Sequence, residues 1–208
     1  MRVIAGRAGG VRLVSPKTGI RPTMDRVKAA IFSSLGEIVI GARVLDLFAG
    51  TGALGIEALS RGAESALFVE QHPQATAAIE KNLQATKLSG RIRSADVFRF
   101  LKNFATSGDV FRIIFADPPY EKMESGEHFT DNLLADPALP RLLEVDGIFV
   151  LEKSPGETLP ETKRWSVLRQ KTYGATEVLF LTAIDTRPPQ TGPLFVRRSL
   201  GEGGTAIP

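Results

Sequence analysis

A glycine-rich loop lies between an apolar run and a helical pattern in this chain, and it limits the folds that the chain can adopt. The run Val44-Leu45-Asp46-Leu47-Phe48 leads into Ala49-Gly50-Thr51-Gly52-Ala53-Leu54-Gly55. Gly50, Gly52 and Gly55 therefore have the G-x-G-x-x-G spacing directly after a predicted strand and at the start of a predicted helix. The first glycine permits a tight turn, the second lets a ligand approach the backbone, and the third lets the helix pack closely on the strand. The pattern favours a cofactor that contains a nucleoside over a loop kept for packing alone.

Apolar runs and helical patterns alternate on both sides of this loop. Strands are predicted at 43–48, 65–69, 91–94, 111–116 and 147–151, with helices between them at 53–61, 73–86, 97–105 and 129–143. Such alternation predicts an α/β fold with a parallel, doubly wound sheet of the Rossmann-like type. Two further strands, at 164–173 and 176–182, are joined through Gly174 and are expected to form an antiparallel pair at the edge of the sheet.

The two ends of the chain lie outside this alternation. Residues 1–20 are interpreted as a basic arm in which 2–5 and 11–14 form a β-hairpin, followed by a helix from a cap at Thr23 to Gly36. We therefore expect a single domain over residues 1–185. Residues 186–208 hold four Gly and four Pro and little apolar content, and we expect them to form a flexible tail.

Composition excludes several classes of protein. The absence of cysteine excludes a disulfide framework, a thiolate zinc site and a cysteine nucleophile. Two histidines, His72 and His128, leave little for metal ligation, so no metal is expected. No apolar run reaches the ~18 residues that a membrane span needs, and the first residues do not resemble a signal peptide. We expect a cytoplasmic, monomeric protein with no membrane partner.

Basic residues are concentrated near the beginning of the chain. Residues 1–30 carry seven basic residues and one acidic residue, whereas the remainder has a small excess of acidic residues. Such a basic segment favours a polyanionic partner, although a solvated surface explains the charge about as well. The candidate RNA-binding residues are Arg2, Arg7, Arg12, Arg21 and Arg26.

Three acidic residues that follow or end predicted strands are candidate cofactor ligands. Glu70 lies 20 residues after Gly50, where a carboxylate can accept hydrogen bonds from both hydroxyls of a ribose. Asp46 is expected to face the ligand crevice, where it would attract the ammonium of S-adenosylmethionine and repel a pyrophosphate. Asp96 can contact an adenine amino group, cap the following helix, or do both.

The tetrapeptide Asp117-Pro118-Pro119-Tyr120 follows the fourth predicted strand. The prolines stiffen the backbone, so that a carboxylate and a rigid carbonyl can both accept hydrogen bonds from an exocyclic amine. The aromatic ring offers a stacking face for a planar base. These are the requirements for transferring a methyl group to an amino group held in line with a sulfonium. Asp117, Pro118 and Tyr120 are therefore the candidate catalytic residues.

Several other polar or aromatic residues are assigned structural roles. His72 is expected to start a helix or contact the edge of the cofactor, and Trp165 and Tyr173 are expected to pack in the core or at the sheet edge. Glu152 and Lys153 end the fifth strand, and a surface ion pair is favoured for them over contact with substrate.

Five segments together resemble the bacterial 16S rRNA (guanine-N2)-methyltransferase family, ribosomal small subunit methyltransferase D. In chain order they are Met1-Arg-Val-Ile-Ala-Gly, Arg21-Pro-Thr-Met-Asp-Arg-Val-Lys-Ala-Ala-Ile-Phe, Asp46-Leu-Phe-Ala-Gly-Thr-Gly-Ala-Leu-Gly-Ile-Glu-Ala-Leu-Ser-Arg-Gly-Ala, Asp117-Pro-Pro-Tyr and Tyr173-Gly-Ala-Thr. The resemblance covers about residues 1–184. Its most specific part is the Arg-Pro-Thr-x-Asp-Arg-Val block combined with the glycine loop. The family often has an acid or Asn after the Asp-Arg-Val block, where this chain has Lys28-Ala29-Ala30 and Ser33-Ser34.

The resemblance implies a class I methyltransferase that uses S-adenosylmethionine and methylates N2 of guanine 966 of 16S rRNA in the assembled or assembling 30S subunit. It implies that the cofactor is lined by Gly50, Gly52, Glu70, Asp96 and Val97. It further implies that Asp117, Pro118 and Tyr120 hold the guanine, that the N-terminal hairpin contacts RNA, and that the crevice is approached by Arg21, Thr23, Asp25 and Arg26.

Other functions remain open on the sequence. A DNA adenine-N6 or cytosine-N4 methyltransferase uses the same tetrapeptide and flips its base, although a chain this short has no room for a separate sequence-reading domain. Methylation of a protein glutamine usually has Asn as the first residue of the tetrapeptide. A non-catalytic ribosome-assembly factor and a nicotinamide-dependent dehydrogenase are the remaining alternatives.

Overall fold

A computed structural model describes residues 1–15, 25–104, 108–119, 128–157, 159–160 and 163–184. Its helices are α1 (Asp25–Leu35), α2 (Ala53–Ser60), α3 (Pro73–Thr86), α4 (Val97–Phe104) and α5 (Phe129–Ala135). Its strands are β1 (Arg43–Leu47), β2 (Ser65–Glu70), β3 (Arg91–Ser94), β4 (Phe111–Ala116), β5 (Leu143–Lys153), β6 (Trp165–Tyr173) and β7 (Thr176–Ala183). The cap predicted at Thr23 and the tail predicted at 186–208 lie outside the described residues.

The described strands form one sheet in the order β3-β2-β1-β4-β5-β7-β6. The first five are parallel neighbours, which confirms the predicted doubly wound architecture. β7 pairs antiparallel with β5, and β6 pairs antiparallel with β7 at the edge, as expected for two strands joined through Gly174. The order places β4 directly beside β1, so their carboxyl ends, and the two motifs that follow them, lie next to each other.

Each face of the sheet has its own hydrophobic core, because successive side chains of a strand point to opposite faces. Val44 of β1 packs with the beginning of the chain, α1 and α2, whereas Leu45 and Leu47 pack with α4 and α5 on the other face. β1, β2 and β4 are therefore covered on both sides, which explains why they appear in the sequence as continuous apolar runs, whereas β3 at the edge of the sheet is mostly exposed. Among the described helices, none combines the length and the apolar character that crossing a membrane requires.

The helix predicted at 129–143 is wrong in its second half. α5 ends at Ala135, and Asp136 accepts backbone hydrogen bonds from Ala138 at 2.7 Å and Leu139 at 3.1 Å. These bonds stabilise a turn in place of further helix, and Pro137 cannot donate to a helical ladder. A short 3-10 turn follows at Leu139–Leu142, and β5 begins at Leu143, four residues before the predicted start.

The beginning of the chain folds back on itself and docks against α2; residues 1–15 are called the arm below. Its two halves pair in antiparallel fashion around a bridge between Arg2 and Arg12. The N–H of Val3 donates to the carbonyl of Val11 at 2.9 Å, and the N–H of Leu13 donates to the carbonyl of Met1 at 3.1 Å. The expected hairpin is therefore present, although its two halves are too short to form regular strands. The buried carboxylate of Glu57 accepts hydrogen bonds from the backbone N–H groups of Ile4 at 2.7 Å and Ala5 at 3.0 Å. Ser60 accepts a further hydrogen bond from the N–H of Ala8 at 3.0 Å. The arm is therefore fixed to the helix that starts at the glycine loop.

Candidate cofactor and methyl-acceptor site

The glycine loop adopts a backbone that most residues avoid. Gly50 and Gly52 have φ angles of 55° and 76°, in the left-handed region that favours glycine. Gly55 serves packing: a Cβ atom there would lie 2.3 Å from Cε1 of Phe68 and 3.0 Å from Oδ2 of Asp46. The predicted close approach of helix to strand at the third glycine is thus present in the structure.

Glu70 holds the first part of the loop. Its Oε2 accepts a hydrogen bond from the N–H of Gly50 at 2.8 Å, and its Oε1 accepts one from the N–H of His72 at 2.8 Å. Each carboxylate oxygen has a further lone pair, so both remain able to accept a hydrogen bond from a ribose hydroxyl. The side chain lies at the carboxyl end of β2, where the sequence places it.

Asp46 is buried beneath the loop, and its Oδ2 accepts a hydrogen bond from the N–H of Gly55 at 2.9 Å. The pKa of Asp46 is raised to about 8, chiefly by burial. The hydrogen bond from Gly55 opposes this rise, and the negative charges of Asp117 and Glu70 add to it. Three carboxyl groups from three neighbouring strand ends therefore influence one another at this edge of the sheet. A cation bound there would relieve the repulsion among them.

Asp117 follows the last residue of β4, which is in register with the last residue of β1. Its side chain is half-buried, the adjacent Pro118 is buried, and Pro119 is exposed. Asp117 therefore stands beside the start of the glycine loop, as the predicted chain order requires. Tyr120, the third candidate catalytic residue, lies outside the described residues.

Asp96 and Val97 follow the end of β3. Oδ1 of Asp96 accepts a hydrogen bond from the N–H of Arg99 at 2.9 Å, so this exposed side chain caps α4. Val97, the first residue of α4, is buried in the core. The N–H of Ala95 donates to the carbonyl of Glu70 at 3.0 Å, which ties this strand end to the cofactor side of the crevice. Capping leaves the second oxygen of Asp96 able to accept a hydrogen bond from an adenine amino group.

The candidate RNA-binding arginines lie mainly on the arm. Arg2, Arg7 and Arg12 are exposed, as is Arg26 at the start of α1. Arg2 is 3.8 Å from Asp25 in an exposed ion pair. Arg21 lies outside the described residues.

Sequence reasoning missed two buried ion pairs, and one of them overturns an expectation. Lys28 and Glu57 pair between α1 and α2 at 3.4 Å, which gives Lys28 a structural role. Lys153 and Glu177 pair at 2.6 Å between β5 and β7, so the expected surface pair of Glu152 and Lys153 is wrong, and both residues are buried. The ammonium of Lys153 holds the pKa of Glu177 below its usual range. A lysine at the end of a buried strand was the available signal.

Three aromatic residues also lie together near the strand ends. The ring of Phe48 meets those of Phe98 and Phe129 at centroid distances of 6.2 and 5.7 Å, joining the end of β1 to α4 and α5. The smaller structural assignments hold: His72 accepts a hydrogen bond from the N–H of Gln74 as the cap of α3, and Trp165 is buried.

Residues 1–182 match the family described as Conserved hypothetical protein 95. The putative rRNA methyltransferase YlbH of Bacillus subtilis (strain 168) is 41% identical over 182 residues, covering 86% of this chain and 96% of its own. Ribosomal RNA small subunit methyltransferase D of Escherichia coli (strain K12) is 35% identical over 177 residues, covering 84% and 85%. The structure of a hypothetical protein of Thermus thermophilus has a TM-score of 0.73 at 30% identity, covering 88% of this chain and 99% of that one. The chain belongs to the Conserved hypothetical protein 95 family, together with ribosomal RNA small subunit methyltransferase D.

Proposed function

We propose that this chain transfers a methyl group from S-adenosylmethionine to the exocyclic N2 amine of a guanine in 16S rRNA, at the position numbered 966, within the 30S subunit. The observation that carries the proposal is the meeting of two motifs at neighbouring strand ends. The glycine loop with Asp46 and Glu70 lies on one side, and Asp117-Pro118 lies on the other. Membership in a family that includes rRNA methyltransferases supports the substrate class.

The residues present fit S-adenosylmethionine. Backbone at Gly50 and Gly52 allows close approach, Glu70 keeps acceptor capacity for a ribose, and the acidic edge suits a cation better than a pyrophosphate. Bound there, S-adenosylmethionine supplies a methyl group on a sulfonium that carries its own leaving group. The negative charges of Asp117 and Glu70 at this edge also argue against a nicotinamide dinucleotide, because they would repel its two phosphates.

On the substrate side, Asp117 accepts a hydrogen bond from the guanine amine and orients its lone pair along the line of transfer. Its negative charge stabilises the positive charge that develops on nitrogen as the new C–N bond forms and the S–C bond breaks. The amine then loses one proton to water, and S-adenosylhomocysteine is the second product. Pro118 fixes the carbonyl that serves as a second acceptor, and Tyr120 supplies the stacking face.

The first test offers the protein S-adenosylmethionine with a radiolabelled methyl group. Undermethylated 30S subunits, naked 16S rRNA and duplex DNA are supplied in parallel, and the products are digested to nucleosides and separated. We expect label in N2-methylguanosine from subunits. Label confined to DNA would replace this proposal with the DNA methyltransferase. No label, with S-adenosylmethionine still bound, would replace it with a non-catalytic assembly factor.

A further inference from the structure

We propose that Asn82 is a positioning residue that couples the arm to the glycine loop, so that RNA on the arm and cofactor on the loop strengthen each other's binding. The inference rests on the proposed function, because it takes the arm as an rRNA-binding element. It concerns a residue of α3 that lies outside both sequence motifs.

The side chain of Asn82 is buried and contacts the backbone of both segments. Its Nδ2 donates hydrogen bonds to the carbonyl of Thr51 at 2.9 Å and to the carbonyl of Val14 at 3.1 Å. Its Oδ1 accepts a hydrogen bond from the N–H of Val14 at 2.8 Å. Both donors and the acceptor of one amide are therefore used, and the orientation of the amide is determined by its partners.

The two partners of Asn82 are well placed to carry a coupling. Thr51 lies between Gly50 and Gly52, so its carbonyl follows the conformation of the loop that approaches the cofactor. Val14 lies near the end of the arm, two residues after Arg12 and before the block that holds Arg21. One buried amide thus spans the distance between the basic segment and the cofactor loop.

Breaking the hydrogen bonds of the Asn82 amide is expected to be unfavourable. If the arm leaves α3, the amide of Asn82 loses two hydrogen bonds to Val14 that water must replace, and nothing then holds it in the orientation in which it binds Thr51. The docked arm and the observed loop conformation therefore stabilise each other. Any ligand that favours one also favours the other, and linkage makes the effect reciprocal. The contacts of Glu57 and Ser60, in contrast, fix the arm to α2 and do not touch the glycine loop.

The test measures binding, independently of turnover. The dissociation constant of S-adenosylhomocysteine is determined with and without saturating 30S subunits from cells that lack this gene. For the unaltered protein we expect subunits to tighten binding by a factor within the roughly 5–150-fold range typical of coupled sites. Asn82→Ala is expected to bring this factor close to one. Gln84→Ala, an exposed residue on the same helix, is the matched control and is expected to keep it.

A second pair of variants approaches the link from the arm and leaves α3 intact. Val14→Pro removes the N–H that donates to Asn82, whereas Val14→Ala keeps the N–H and trims a side chain that is 51% exposed. We expect the proline variant to lose the coupling factor and the alanine variant to keep it. If Asn82→Ala does not fold, the comparison of Val14→Pro with Val14→Ala tests the coupling between the arm and the glycine loop.

The remaining outcomes separate the inference from the proposed function. If unaltered protein binds and methylates subunits but shows no coupling, or if Asn82→Ala and Val14→Pro keep the full factor, the coupling role is overturned. Equal weakening of S-adenosylhomocysteine binding with and without subunits would assign Asn82 a purely structural role and overturn it as well. Failure of the unaltered protein to retain subunits would overturn the proposed function, and the coupling with it.

Discussion

Nζ of Lys28 lies 3.4 Å from Oε2 of Glu57, and both side chains are fully buried. The same ammonium donates a hydrogen bond to the carbonyl of Arg2 at 2.6 Å, and Glu57 also accepts a hydrogen bond from Nε of Arg61 at 2.8 Å. Burial lowers the pKa of Lys28, and the carboxylate of Glu57 opposes that shift. Buried charges on α1 and α2 thus hold the arm in place through its backbone, whatever side chains the arm carries.

Removing the lysine charge is expected to destabilise the fold strongly. Lys28→Met leaves Glu57 buried with one cation fewer, and breaking one side of a buried pair usually costs about 3–5 kcal/mol. The free energy of unfolding from urea titration measures the loss. Lys81→Met, at an exposed position of α3, is the matched control and is expected to change stability by less than about 0.5 kcal/mol. Equal stability of the two variants would contradict a structural role for the pair.

Much of the fold could be predicted because the sequence patterns that indicate it are formed by residues close together in the chain. β1 and β4 are buried on both faces, so their apolar runs stand out, and the glycine spacing identifies the turn after β1. The error at 129–143 has a physical cause: Leu139 and Leu142 continue the apolar pattern past Asp136, although the backbone has left the helix. An apolar pattern reports burial, and here burial persists while the hydrogen bonding changes.

The site could be predicted only as far as strand ends place its residues. The topology brings Asp46, Glu70 and Asp117 together because each ends or follows a strand at the same edge of the sheet. Asn82 and Glu57 carry no such signal, because their partners Val14 and Ile4 are 68 and 53 positions away. Contacts between distant segments depend on how helices dock, which the spacing of residues in a single sequence does not encode.

The packing role of Gly55 predicts a specific rescue. Gly55→Ala places a Cβ atom 2.3 Å from Cε1 of Phe68, and overpacking of this kind costs typically about 1–3 kcal/mol. Phe68→Leu removes the obstructing ring edge. In a double-mutant cycle of urea unfolding, we expect the double variant to be more stable than the sum of the single variants by about 1 kcal/mol. Simple additivity would show that the two side chains do not compete for space.

The raised pKa of Asp46 predicts a pH-dependent stability in the absence of ligand. The folded protein holds the proton up to about pH 8, whereas an unfolded chain releases it near the ordinary value of 3.8. The contribution of protonated Asp46 to the free energy of unfolding is therefore fully present below about pH 4. This contribution decreases by at most about 1.4 kcal/mol per pH unit as the pH rises toward 8. Asp46→Asn removes this loss and keeps an acceptor for Gly55.

We expect the stability of Asp46→Asn relative to the unaltered protein to increase from about pH 5 to about pH 8 in urea titrations, the interval in which only the unfolded chain has released the proton. Asp146→Asn, at an exposed position of β5, serves as the control and is expected to follow the unaltered protein throughout. Parallel pH profiles for all three proteins would show that Asp46 ionises normally.

The arm predicts a salt-dependent affinity for RNA. Replacing Arg2, Arg7 and Arg12 with Ala removes three exposed positive charges without disturbing the buried contacts of Glu57. We expect weaker binding to 30S subunits and a shallower fall of affinity with salt, because fewer counterions are released. Filter binding over a range of salt concentrations measures both. A triple variant at Arg91, Arg93 and Arg141, which are exposed elsewhere, controls for net charge. If the affinity of the two triple variants for 30S subunits depended on salt concentration in the same way, the arm would be a solvated surface without a specific role in RNA binding.

The position of Asp117 beside the glycine loop predicts a loss of transfer with binding retained. Asp117→Ala removes the acceptor that orients the guanine amine, and we expect methyl transfer to subunits to fall by at least about 100-fold, as when one preorganised partner of a transition state is lost. Binding of S-adenosylhomocysteine, measured by calorimetry, is expected to persist, because the loop contacts of Glu70 and Asp46 remain. Asp117→Asn, which keeps one acceptor oxygen, should retain more transfer than Asp117→Ala, and Asp146→Ala serves as the exposed control. Transfer at the unaltered rate by Asp117→Ala would remove this residue from the reaction.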